Sequence, residues 1–345
     1  MRATGPSVRS NAQTDTSTAV MKRLLLIISS IFALVACSSE GVSPSADDKA
    51  ISFSNVSTRA ALSDLEANGF GVWAGMKAND EPYIAILENE EVYQDNGAWT
   101  YTNKRYWLDG YLFSFVACYP REDEDQHYVF DADSNTVKLV VDETPSEVDF
   151  LMATNVTDTK EEGYSTTVSL AFDHVLTQVG LKIWRDGGKH QNDQMRITKV
   201  TLGNIYKGGS YSSATGTWTL SNDKLTAEKV YTVFTDDDNI GAAIVNDDGT
   251  LKIGGGAAEP FDAMLLVPQT TSDISLKIAY QLKRQGAVEW ESAELETKLS
   301  VAWEKNKRYT YNVVLSSVTD ITIYYIQTKV DPWGTPQVGG TVIIK

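Results

Sequence analysis

Apolar residues in this chain recur at every second position and seldom at helical spacing, which restricts it to sheet architectures. In "RYTYNVVL", Tyr309, Tyr311, Val313 and Leu315 share one face of an extended strand, with Thr310 and Asn312 opposite. "TQVGLKIW" sends Val179, Leu181 and Ile183 inward and Gln178, Gly180 and Lys182 outward. "YLFSFVACY" (111–119) is apolar on both faces, the pattern of a central strand covered on each side. Further strands are expected at 83–87, 137–141, 168–172, 196–202, 228–234, 262–267, 274–281, 287–300 and 321–329. The pairs Asn68-Gly69, Asn96-Gly97, Asp109-Gly110, Asp186-Gly187 and Asp248-Gly249 carry hairpin-turn chemistry between such segments. A short window at 60–67, "AALSDLEA", is the one helical candidate. Many short strands with frequent turns predict an all-β protein of two tandem immunoglobulin-like β-sandwich domains.

The N-terminal region has a different character. Met21, Lys22 and Arg23 precede an apolar run, Leu24 to Ala36, too short to span a bilayer. Leu34-Val35-Ala36-Cys37 resembles a bacterial lipobox, which predicts removal of residues 21–36 and a lipid on the Cys37 thiol. An ordinary signal peptide or hydrophobic anchor is the competing reading. Residues 1–20 read as an over-extended start, and 37–50 as a polar tether. The expected domains are 51–163 and 164–345, with the polar stretch 155–166 as the linker.

The chain carries 30 Lys and Arg against 46 Asp and Glu, a net charge of −16. That balance argues against a nucleic-acid partner, which needs clustered positive charge. It suits a soluble surface facing the outside of a cell. If Cys37 is lipidated, Cys118 is the remaining thiol and no intrachain disulfide can form. Cys118 lies in an apolar run and reads as a small buried hydrophobe.

No catalytic constellation is visible. His127, His174 and His190 lack metal-ligand spacing, and H-E-x-x-H, C-x-x-C and phosphate-loop motifs are missing. "GGSYS" (208–212) and "GGGAAE" (254–259) each lack a glycine that their nearest motif requires. Asp131, Asp133, Asn135 and Asp142 have the alternate spacing of a calcium loop, but Thr136 stands where glycine is needed. A solvated hairpin is the simpler reading there. The expectation is a non-enzymatic protein with no catalytic residue, metal or cofactor. Trp99, Tyr101, Tyr106, Trp107 and Tyr111 crowd two turns, and Trp99 and Trp107 could stack on sugars. The alternative for these rings is core filling.

Five segments in order resemble the fimbrillin family of Bacteroidales, the Mfa/Fim-like subunits of type V pili. They are "WLDGYLFSFVACYP" (107–120), "DFLMAT" (149–154), "VSLAFDHVLTQVGLKI" (168–183), "AMLLVPQT" (263–270) and "WEKNKRYTYNVVL" (303–315). The resemblance implies two transthyretin-like sandwiches, export as an outer-membrane lipoprotein, and assembly into surface fimbriae that serve adhesion. It implies proteolytic maturation after Arg59, between Arg59 and Ala60 in "STRAAL". The strand carrying Ile51 and Phe53 would leave with the cut segment, opening a groove that another chain's strand could fill. "QVGGTVIIK" supplies the donor candidate, with Val338, Val342 and Ile344 on one face; pairing inside its own domain is the alternative. The partners implied are other fimbrial subunits, outer-membrane lipid through Cys37 before cleavage, and a host or bacterial surface ligand. The competing function is a surface-anchored glycan-binding lipoprotein, or an uncut anchor or tip component.

Overall fold

The computed structural model describes residues 50–58, 62–122, 127–161, 163–186, 193–230, 250–253, 264–316 and 322–333. All of them belong to one of the chain's two units, Lys49–Lys345. The chain opens with β1 (Ser52–Thr58), helix α1 (Leu62–Asn68), β2 (Phe70–Lys77), β3 (Ile84–Asp95), β4 (Ala98–Thr100) and β5 (Leu112–Tyr119). Next come β6 (Tyr128–Asp131), β7 (Thr136–Val141), β8 (Leu151–Asp158), β9 (Thr167–His174) and β10 (Thr177–Asp186). β11 (Gln194–Tyr206), β12 (Gly209–Ser212), β13 (Thr217–Leu220), β14 (Lys224–Val230) and β15 (Thr250–Ile253) follow. The last described strands are β16 (Met264–Leu266), β17 (Gln269–Lys283), β18 (Glu291–Trp303), β19 (Lys307–Ser316) and β20 (Thr322–Pro332).

Seven of these strands form one sheet in the order β1-β9-β8-β5-β2-β3-β4. Its inner face buries Phe70, Val72, Phe113, Phe115, Leu151, Val168, Leu170 and Phe172 in one core. The sheet curls until its two ends meet: Ala50 bridges Tyr106 in the segment after β4, and the Ile51 amide donates to Arg105 O at 2.8 Å. The second half is a sandwich. β15, β10, β19 and β20 form one layer, with β16 also paired to β10, and β14-β11-β17-β18 form the other.

The alternation read from the sequence sets this second core. Val179, Leu181 and Ile183 from β10 and Tyr309, Tyr311, Val313 and Leu315 from β19 all lie in it. They face Met195, Ile197, Val200, Leu202 and Ile205 of β11. The phase of β11 slips by one residue twice, and each slip coincides with a register shift, at Ile197/Lys199 against β17 and Leu202/Ile205 against β14. Such bulges let a long strand keep its apolar residues inward.

A fourth sheet, β13-β12-β7-β6, pairs strands from the two halves of the sequence, with Tyr211 opposite Leu139. It covers the outer face of the first sheet. Trp73, Val116, Cys118 and Met152 from that face meet Leu139, Val141, Tyr211, Val175, Leu176 and Trp333 in a junction core. The chain passes from the first sheet to the second sandwich between His174 and Thr177, through buried Val175 and Leu176. The polar stretch 155–166 holds the end of β8 and the turn into β9, its antiparallel neighbour.

Two consequences are testable. A Cβ added at Gly208, beside the β7–β12 pairing, would sit 2.1 Å from Val141 O. Gly208→Ala should therefore destabilise the fold by about 3 kcal/mol, read as a lower urea midpoint at unchanged slope. In the second core, burial pushes the Tyr311 hydroxyl up to about 12, although it accepts the Trp303 indole N–H at 2.8 Å. Below pH 10 both folded and unfolded states keep this proton, so its contribution is fully present. It is lost between pH 10 and 12, because the unfolded chain ionises first. Stability should fall by about 2–3 kcal/mol across that window. Tyr311→Phe should flatten the fall in denaturation curves taken at each pH.

Candidate functional site

The strand β1 lies at the end of its sheet and pairs with β9 in parallel, Phe53 opposite Val168 and Thr58 opposite Phe172. Its sequence "SFSNVST" alternates small polar residues with apolar ones, so Ser52 and Ser57 face solvent while Ile51 and Phe53 point inward. Strict alternation would bury Asn55. A register shift between Ser54 and Ser57 inserts one residue, and Val56 is buried. Phe53 meets Tyr101 and Phe115 edge to face, with centroids 5.5 and 6.2 Å away. Each of the three buried apolar side chains contributes roughly 1.5–3 kcal/mol. Parallel pairing to one neighbour holds the strand less firmly per residue than antiparallel pairing would.

A polar latch closes the N-terminal end of β1. The Tyr101 hydroxyl donates to Ile51 O and accepts from the Arg105 amide, both at 3.0 Å. Burial raises its pKa, so the hydroxyl stays protonated and able to donate. The Arg105 side chain donates to Ile86 O at 2.7 Å, which ties the latch loop to β3. Ser52 Oγ lies 3.1 Å from Thr167 Oγ1 across the parallel pair.

Of the residues singled out by sequence, Ile51 and Phe53 come together in this edge strand. Cys37, Arg59, Ala60, Val338, Val342 and Ile344 lie outside the described residues. In sequence, Arg59 and Ala60 fall between the end of β1 at Thr58 and the start of α1 at Leu62. Trp107 is 1% exposed, its indole N–H donates to Thr166 O at 2.9 Å, and Phe113, Phe115 and Tyr164 pack on its ring. Its faces are therefore occupied by protein. Trp99 is half-buried against Phe70, with centroids 5.1 Å apart. Sequence reasoning did not find the latch role of Tyr101 and Arg105. Their signal was present in the aromatic crowding at 99–111, but nothing local says that Ile51, fifty residues earlier, meets them.

The other polar features have structural partners. Asp131 accepts from Ser134 Oγ at 2.8 Å and from the Asp133 amide at 3.2 Å, and the Ser134 bond holds its carboxyl below the usual range. Asn135 is buried and donates its amide to Ser114 O, so this is a hairpin turn fastened to β5. His174 is buried, bonded to Asp149 at 2.9 Å and stacked on Trp333 at 4.0 Å. Burial pushes the Cys118 thiol well up, which removes it from thiolate chemistry. No helix among the described residues is long and apolar enough to cross a membrane.

The described body is nearly all β, with the short strand β1 at the end of its first sheet. The chain belongs to the fimbrillin-like family, whose profile matches residues 58–333, from the last residue of β1 onward. Membership places it with the fimbrial and adhesion proteins of the cell surface. No curated protein matches it by sequence. Among solved structures it is similar to a proposed cell adhesion protein from Bacteroides uniformis, at 17% identity and a TM-score of 0.47, covering 83% of this chain and 98% of that one. A proposed cell adhesion protein from Bacteroides ovatus gives 16% identity and a TM-score of 0.44, covering 78% and 89%. The fimbrial anchor protein Mfa2 from Porphyromonas gingivalis gives 14% and 0.32, covering 77% and 90%.

Tyr101→Phe keeps the ring against Phe53 and removes the latch. It should lower stability by about 1–2 kcal/mol, since a buried carbonyl and amide lose their partner. Amide hydrogen exchange should quicken selectively in residues 51–58, with β19 unchanged.

Proposed function

We propose that the chain is a fimbrial subunit made as an outer-membrane lipoprotein and matured by losing β1. In this reading Cys37 carries the lipid, and a protease cuts between Arg59 and Ala60. The strand containing Ile51 and Phe53 then leaves. A neighbouring subunit fills the vacated edge with the strand bearing Val338, Val342 and Ile344. The two sandwich-based halves of the body form the rigid unit that is repeated along the fibre.

One observation carries the reading: an edge strand with buried Ile51, Phe53 and Val56 ends at Thr58, next to the single arginine between it and α1. Its removal would uncover Tyr101, Phe115 and Val168 together with the unpaired edge of β9. A row of free backbone groups beside apolar pockets is what an incoming extended segment recognises. The departing strand would leave one ladder, to β9, and the latch at Arg105 and Tyr106.

Peptide mass spectrometry of the protein recovered from cells tests this directly. The expected N-terminus is Ala60 in assembled material, and Arg59→Ala should abolish surface polymer while leaving a lipidated, monomeric chain. Polymer of normal length from the Arg59→Ala strain would overturn cleavage as the trigger. A lipidated Cys37 persisting through growth would make this an uncut anchor.

A further inference from the structure

A second feature lies far along the chain from β1. Where the β12–β13 hairpin, the β18–β19 turn and the end of β9 converge, there is an open cleft of about 480 Å³, lined by Trp218, Thr217, Asp173, Glu304, Lys305 and Asn306 among others. Its size falls in the range of ligand-binding clefts, roughly 300–1,000 Å³.

The lining is held in place before any ligand arrives. The Trp218 indole N–H donates to Val175 O at 2.8 Å, and its ring leans on Tyr211 with centroids 5.7 Å apart. Trp218 itself is partly buried. Lys305 Nζ donates to the Tyr211 hydroxyl at 2.9 Å. Asn306 adopts a left-handed conformation, φ 60°, that turns β18 into β19. Its amide N–H donates to Leu176 O at 3.0 Å, its carbonyl accepts from the Trp333 N–H at 3.1 Å, and its side-chain Nδ2 donates to Asp173 Oδ1 at 2.7 Å. The floor of the cleft is thus pinned to the junction core. Asn306 Oδ1, buried in that floor, has no hydrogen-bond partner.

The chemistry of the lining selects the ligand class. The lining holds two carboxylates, Asp173 and Glu304, and two ammonium groups, Lys305 and Lys307, so neither a phosphate nor an organic cation finds a lining of one sign. A purely apolar ligand would strip water from these groups without replacing their bonds. A pyranose ring, with C–H groups on one face and hydroxyls at its edge, meets both demands. Its C–H face lies on the indole, while its hydroxyls donate to Asp173 and Glu304 and accept from Lys305. We propose that this cleft binds a neutral saccharide, with Trp218 as the stacking platform. The site is independent of strand exchange.

Saturation-transfer NMR on the whole mature chain tests it. The probes are the methyl glycosides of glucose, galactose, mannose and N-acetylglucosamine, with free sialic acid as the acidic comparison. The expected result is transfer to the ring protons of at least one neutral glycoside, with affinity weakened about tenfold or more by Trp218→Ala. Trp218 also packs on the junction core, so Thr217→Arg, an exposed rim position, provides a variant that blocks the cleft and leaves the core intact. Thr217→Arg should abolish transfer at an unchanged melting temperature. Three results would overturn the proposal: no transfer from any neutral probe at millimolar concentration, equal transfer in Thr217→Arg, or transfer from sialic acid alone.

Discussion

The structure depends on one sheet being covered on both faces. β5 sends Phe113, Phe115 and Ala117 into the first core and Val116 and Cys118 into the junction core. Because side chains alternate strictly along a strand, its register sets both cores at once, and a slip of one residue would exchange them. Trp73 of β2 and Met152 of β8 join the outward set, so three adjacent strands present an apolar outer face. That face needs a cover, and the cover comes from both halves of the sequence. β6 and β7 precede the crossing at 175–176, and β12 and β13 follow it. The two halves are therefore joined by a shared sheet and core as well as by the chain.

The regular parts of this arrangement were legible because they follow local rules. The double-sided pattern of 111–119 marks the central strand, and the alternation in 177–183 and 309–315 identifies the inward residues of β10 and β19. The helix expected at 60–67 forms at 62–68. What escaped reading is set at long range. "KGGSYSSATGTW" (207–218) is small and polar, yet it forms β12 and β13 because β7, seventy residues earlier, supplies the ladder. The passage between the two halves is apolar, not polar, because Val175 and Leu176 are themselves core residues. The polar stretch 155–166 announced a solvent-exposed turn, and composition cannot tell a turn inside one sheet from a linker between two. The aromatic cluster at 99–111 was visible as a cluster, but whether Trp107 faced outward depended on Tyr164 and Thr166 from another strand connection.

The edges of the sheets are treated unequally. β18 borders the second sandwich with Glu291, Glu294 and Glu296 exposed along it, and Lys277 of the neighbouring strand sits 3.4 Å from Glu296 and 3.6 Å from Glu294. The Ser275 hydroxyl lowers the Glu296 pKa, and Glu296 in turn raises that of Lys277, so these groups stay charged over the physiological range. Charges in that density discourage a second strand from docking. β1 carries no such guard. Its sequence "SFSNVST" has no charged residue; among the described side chains Ser52 and Ser57 are exposed, and Phe53 and Val56 are buried beside Ile51.

That asymmetry bears on the proposed loss of β1. The buried residues of β1 lie in the first core alone, whereas those of β5 serve two. Taking β1 away removes one wall of one core. The junction core, the second sandwich and the central strands keep all their members. The groove left behind would still be shaped by Phe115, packed edge to face on Trp107, while β9 would keep its pairing to β8 at Asp173 and His174. A fold in which every strand was shared between cores would collapse on losing one. With β1 confined to a single core, its loss under the proposed maturation would leave the junction core and the second sandwich with all their members.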